Sequence, residues 1–265
     1  MYVHEKTATG KKRRPKGMPE SVQQGSRILG RTGGRPATLL RGHDNSLRPC
    51  ESPLELAVGN LGCLDPRVRE VTSQPFTIDI VTGDILCSRE ARAEHRKLRA
   101  YPEVKVREYT PDFRFSLIDE QSIIVEVKDP RYAHDEQYWE KVEHAARILR
   151  SNGHQFCVIS MAYEPTHPLV QNGELLRYVG QNFDDPGIDR QLDDLTEQFG
   201  DSTVALGAVS ARLGLTLREA PILLLRGIVS ADIASERICA AMPVQLAYGD
   251  LQHLQILTFE GNQTC

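Results

Sequence analysis

The sequence has no apolar run long enough to span a bilayer, which excludes a membrane-spanning helix. No apolar stretch follows the basic N-terminus as a secretory signal requires, so a cytoplasmic location is expected. Cysteine is scarce and scattered: Cys50, Cys63, Cys87, Cys157, Cys239 and Cys265 never fall in Cys-x-x-Cys spacing. Neither a zinc site nor a disulfide framework is indicated, and reduced thiols are expected. What is present is the composition of an ordinary globular chain, 265 residues with 40% hydrophobic and 26% charged, enough for one large domain or two modest ones. The net charge of −4 hides an asymmetry. Residues 1–50 carry eleven Lys or Arg against three Asp or Glu, a charge of +8; the remainder carries 21 against 33, a charge of −12. The basic arm, with Lys11, Lys12, Arg13, Arg14 and Lys16, is suited to a phosphate backbone, and on charge alone equally suited to a solubilising tail.

The stretch Tyr109–Lys128 carries the chemistry. From Asp112 to Leu117 polar and apolar residues alternate, putting Phe113, Phe115 and Leu117 on one side of a strand and Asp112, Arg114 and Ser116 on the other. A second strand, Ile123–Lys128, sets Ile124, Glu126 and Lys128 on one face. Asp119–Ser122 makes the turn between them, and Pro111 suits a first strand position. Antiparallel pairing about that turn places Asp112 opposite Glu126 or Lys128, so two carboxylates and an ammonium converge. Adjacent carboxylates repel unless their pKa values rise or a cation lies between them. An oxygen-only set suits magnesium, and a neighbouring lysine can steady a developing phosphate charge. The plainer alternative is a solvated hairpin with a cross-strand ion pair. Against it, Glu126 and Lys128 lie among apolar residues, where charge is costly.

Pro111-Asp112 followed by Glu126-Val127-Lys128 resembles the PD-(D/E)xK nuclease motif. The form Tyr109-Thr-Pro-Asp-Phe113 with Val125-Glu-Val-Lys128, preceded by Ser52-Pro-Leu-Glu55 and Gln74-Pro-Phe76, is similar to the TnsA family, the endonuclease subunits of heteromeric transposases. The similarity is close over Pro49–Ser160 and fainter over Leu192–Ile238. It implies an α/β fold, a restriction-endonuclease-like core of mixed sheet flanked by helices, with a C-terminal winged-helix-like domain. It further implies that Glu55, Asp112 and Glu126 bind one or two magnesium ions, for which manganese can substitute, with the Val127 carbonyl completing the site and Lys128 beside the nucleophile. The implied substrate is DNA at the 5′ ends of a transposon in a bacterial cytoplasm, and the implied partners are a TnsB-like transposase and a TnsC-like AAA+ ATPase regulator. Two alternatives remain: a stand-alone restriction or repair nuclease of the same fold, and a non-catalytic DNA-binding assembly subunit.

Glu55 also has a purely local explanation. Ser52-Pro53-Leu54-Glu55 is a complete capping box with proline at the first helical position, and Glu55 can bond back to the Ser52 amide. Elsewhere the spacing predicts irregular chain over Leu39–Cys50, a strand over Gln74–Val81 and a charged helix over Arg89–Arg99 with His95 on its surface. A helix over Asp135–Ser151 with Trp139 in the core and a buried strand over Gln155–Ser160 follow. The expected domains are the arm (1–48), the nuclease (49–163), a linker with a short helix at Glu174–Val179 (164–191) and a C-terminal unit (192–265). In the last, Thr203–Leu213, Gly214 and the Thr216-x-x-Glu219 box suggest helix-turn-helix, with Ile228–Ile233 as a wing strand. A plain helical hairpin fits equally, because Pro221 is awkward within the second helix. Arg114 completes the candidate DNA contacts.

Overall fold

In the computed structural model, which describes residues 38–98, 107–183 and 192–259, a hairpin of β1 (Thr38–Arg41) and β2 (Leu47–Cys50) leads into α1 (Pro53–Leu64). The hairpin replaces the irregular chain expected here. The same turn residues close it: the Gly42 amide donates to Ser46 O at 2.9 Å, Asn45 takes φ +60°, and Asp44 accepts from the Ser46 hydroxyl at 2.7 Å. Residues 38–48, assigned to the arm by charge, therefore belong to the folded body, and Leu40 is fully buried. Ser52 caps α1 by accepting from the Glu55 amide at 3.1 Å. The helix is buried nearly all round, and Gly62 faces Phe115 so closely that a Cβ there would sit 2.7 Å from the ring.

The chain continues through β3 (Val68–Ser73), β4 (Thr77–Asp79), β5 (Ile85–Leu86), α2 (Arg89–Leu98) and β6 (Glu108–Tyr109) to the central hairpin, β7 (Phe113–Leu117) and β8 (Ser122–Lys128). After it come α3 (Glu136–Ser151) and β9 (Gln155–Ser160). The main sheet runs β3-β7-β8-β9, antiparallel except for the parallel β8–β9 pair that α3 connects. Phe113, Phe115, Ile123, Val125 and Val127 pack towards α1, whereas Ile124 and Phe156 pack with Val142, Ala145 and Leu149 of α3. This is the expected mixed sheet flanked by helices. Two strands differ from expectation. Gln74–Val81 is not one strand of this sheet: Gln74 takes φ +47°, and only Thr77–Asp79 is extended, in a small separate sheet β5-β4-β6. The edge strand β3, in contrast, carries no regular alternation in its sequence.

The stretch expected as a linker is mostly one helix, α4 (Pro168–Asn182), started by Pro168 and by His167 Nδ1 accepting from the Leu169 amide at 3.2 Å. Its Gly173 lies against Leu61, while Leu176 and Val179 enter the C-terminal core. The buried Asn172 donates to Ile233 O and Glu236 O at 2.8 and 2.7 Å and accepts from the Ile238 amide at 3.0 Å. Beyond it lie α5 (Leu192–Phe199), β10 (Val204–Ala205), α6 (Leu206–Arg212), α7 (Ile222–Leu225), β11 (Val229–Ser230) and β12 (Pro243–Leu246), with β12 central in a three-stranded sheet. The Thr216 box does form, its amide and hydroxyl both donating to Glu219 Oε2. Yet Pro221 starts a new turn, and the second helix of the expected helix-turn-helix is one turn long. The chain then returns to the nuclease core, where Leu257 is buried and Arg67 donates to its carbonyl at 2.6 Å. Among the described residues no helix is long and apolar enough to cross a membrane.

Candidate active site

The turn of the central hairpin is Ile118–Gln121, with Glu120 at φ +68°, and pairs Phe113 with Val125 and Phe115 with Ile123. Extending that register by one residue sets Asp112 against Glu126. Asp112 is held from both sides: its carbonyl accepts from the Gln74 amide at 2.8 Å, and its Oδ2 accepts from the Val127 amide, also at 2.8 Å. Glu126 is 6% exposed and fully engaged, Oε2 accepting from the buried Tyr109 hydroxyl at 2.6 Å and Oε1 from the Tyr138 hydroxyl. Lys128 Nζ lies 3.5 Å from the centre of the Tyr138 ring, within cation–π range. Glu55 comes from the first turn of α1. Its Oε1 accepts from the Ser52 hydroxyl at 2.9 Å and its Oε2 from the Glu51 amide at 2.7 Å, one residue earlier than the Ser52 amide the capping box suggests.

Electrostatics ties the three carboxylates together. Burial pushes Asp112 well above the usual carboxylate range, and the charges of Glu126 and Glu55 push it further, with only the Val127 amide opposing. Burial also raises Glu126, against the two tyrosine hydroxyls, Lys128 and Lys141. Glu55 rises to about 7, chiefly by burial, with Glu51 and Glu126 adding repulsion to what its hydrogen bonds remove. Such a group cannot be fully ionised without a compensating cation. Among the described residues no three His, Cys, Asp or Glu side chains stand together in ligating position. The donor set is nonetheless all oxygen and shares an excess of negative charge, which fits a hard divalent ion once the tyrosine and serine hydrogen bonds are exchanged for it.

Residues 65–161 match the family model described as TnsA-like endonuclease N terminal. Over those residues the chain is similar to the endonuclease domain of TnsA-like proteins. No curated protein matches the chain. The matched segment of the TnsA-like core contains Asp112, Glu126, Val127 and Lys128 and begins after Glu55.

Of the other residues expected to act, Val127 meets the site through its amide. Arg114 lies on β7 between Thr72 and Ile124, half-buried, with Nε enclosed and unpartnered among the described residues. Lys11, Lys12, Arg13, Arg14 and Lys16 lie outside the described residues. His95, expected at the surface of α2, instead meets the buried Asp79 at 2.8 Å. Arg92 and Arg96 of that helix are tied to Glu108. Tyr109, Tyr138 and Lys141 are the neighbours of Glu126 that sequence reasoning missed. Tyr138 reads there as one of a helix's apolar positions, and nothing in spacing alone distinguishes a core ring from one whose hydroxyl and face serve two charged residues.

Proposed function

We propose that this TnsA-like chain is the DNA endonuclease subunit of a heteromeric transposase, hydrolysing phosphodiesters at the 5′ ends of the transposon beside a TnsB-like transposase and under a TnsC-like ATPase. The observation that carries the reading is the group of Glu55, Asp112 and Glu126, carboxylates all raised by burial, with Glu126 and Glu55 raising Asp112 further and Glu126 raising Glu55, at the end of a sheet where Lys128 also stands. Glu55, Asp112 and Glu126, with the Val127 carbonyl, would hold magnesium, one ion or two, with manganese as substitute. When bound, the ion would supply Lewis acidity and make a coordinated water more acidic than bulk water. Lys128 supplies a fixed positive charge where negative charge grows on the attacked phosphate. Arg114, on β7, and the basic residues of the arm would contact backbone phosphates.

Reconstitution tests the reading. Full-length chain, a TnsB-like partner encoded beside it and a DNA carrying the transposon ends should give 5′-strand cuts only when magnesium and the partner are both present. Efficient cutting of one defined sequence by the chain alone would replace the transposase reading with that of a stand-alone nuclease.

A further inference from the structure

Tyr138 touches two members of the motif at once. Its hydroxyl donates to Glu126 Oε1, and its ring carries the Lys128 ammonium. Its position is set by the start of α3, where Asp135 caps the helix by accepting from the Tyr138 amide at 3.0 Å. Trp139 braces the ring edge-on, with centroids 5.3 Å apart and an interplanar angle of 76°. Trp139 is itself anchored through Nε1 to Ala133 O at 2.7 Å. Tyr109, which holds the other oxygen of Glu126, is differently placed: it is 3% exposed and paired in the small sheet with Ile78. Tyr138 is half-buried and follows the exposed residues 130–137. Of the two hydroxyls on Glu126, the one on Tyr138 is therefore the one that can leave without breaking a core.

A carboxylate oxygen already accepting a hydrogen bond must give it up, or share it, to ligate a cation. Resting on the metal-dependent nuclease reading above, we propose that Tyr138 is a positioning residue that holds Glu126 in a metal-free arrangement through its hydroxyl and fixes the Lys128 ammonium through its ring. The two roles separate by substitution. Tyr138→Phe removes the competing hydroxyl and keeps the ring. Tyr138→Leu removes both.

Manganese binding to the full-length chain, followed by calorimetry, together with DNA cleavage at saturating magnesium, tests this. Tyr138→Phe should bind manganese about two- to tenfold more tightly, the worth of one hydrogen bond. Tyr138→Leu should bind manganese as Tyr138→Phe does, yet cleave about tenfold more slowly than Tyr138→Phe at saturating magnesium, because Lys128 has lost the ring that places it. Melting curves check that both variants fold, and Asp112→Ala is measured alongside. If Asp112→Ala abolishes manganese binding while Tyr138→Phe binds as wild type or more weakly, the proposed role of Tyr138 is overturned and the metal site stands. If Asp112→Ala binds manganese as wild type does, the metal site itself is misassigned. A purely structural Tyr138 would lower melting temperature without tightening manganese binding, which also overturns the proposal.

Discussion

At the scale of the residue, Glu55 serves two masters. It closes the first turn of α1 through Ser52 and the Glu51 amide, and it belongs electrostatically to Asp112 and Glu126. Glu55→Gln keeps one acceptor oxygen for the Glu51 amide, and its NH2 can donate to the Ser52 hydroxyl in place of the bond that Glu55 accepts there, so helix capping should survive. Cleavage should nevertheless collapse, because an amide is a poor ligand for a hard cation. Full cleavage by Glu55→Gln would return the residue to a capping role. The pH dependence carries a second signature. The folded chain holds the Glu55 proton up to about 7, against 4.5 in the unfolded chain, so folding favours protonation. The associated stability is present below pH 4.5 and is lost as pH rises towards 7, by at most roughly 3 kcal/mol. In a chelator, the melting temperature should fall across this window, and the fall should be smaller in Glu55→Gln. Asp112 and Glu126, also raised, should keep some of the slope in the variant.

At the scale of the element, what was legible in the sequence was whatever a local pattern determines. The alternation of Phe113 and Phe115 against Arg114, and of Val125 and Val127 against Glu126, gave β7 and β8 and the facing of Asp112 and Glu126. Ser52 and Pro53 gave the start of α1, and Asn152-Gly153 the end of α3. Elements held by distant partners were not legible. In β3, Val68 and Val71 bury two positions that do not alternate, because a register irregularity lies between Val68 and Glu70. The length of α4 was hidden by Gly173 and Gly180, which read as breaks; both are close-packing positions, against Leu61 and Leu225. Gly62 shows the same device in α1 and yields a quantitative expectation. Gly62→Ala would gain about 1 kcal/mol of helix propensity. Its Cβ, however, would meet the Phe115 ring at 2.7 Å. That ring is fully buried between Phe113 and Phe259. Overpacking of this kind costs about 1–3 kcal/mol, so the variant should melt below wild type. A higher melting temperature would mean that Phe115 has room to move.

At the scale of the whole molecule, charge and connectivity divide the labour. The body after residue 50 is net acidic, whereas the first 50 residues carry +8. From residue 38 onwards the chain is needed for the β1–β2 hairpin. Removing residues 1–37 should therefore spare the fold while weakening DNA binding. For each phosphate that the arm no longer neutralises, the slope of log affinity against log salt should flatten by about 0.9. An unchanged slope would make the arm a solubilising tail. The C-terminal unit is joined to the nuclease by more than its covalent connection: α4 lies in both cores, and Arg67 grips Leu257 and stacks at 4.6 Å on Phe259. A partner seated on the C-terminal unit would thus press on the same body that holds Asp112 and Glu126.

The central claim is that Glu55, Asp112 and Glu126 form one metal-dependent cutting site, and Asp112→Ala tests it most directly. The substitution removes a single hydrogen bond to Val127 and relieves repulsion with two carboxylates, so the variant should melt close to wild type, within about 1 kcal/mol in stability. With magnesium, transposon-end DNA and the transposase partner, it should bind DNA as wild type does and leave the 5′ strands uncut. Cleavage by Asp112→Ala at the wild-type rate would contradict the account.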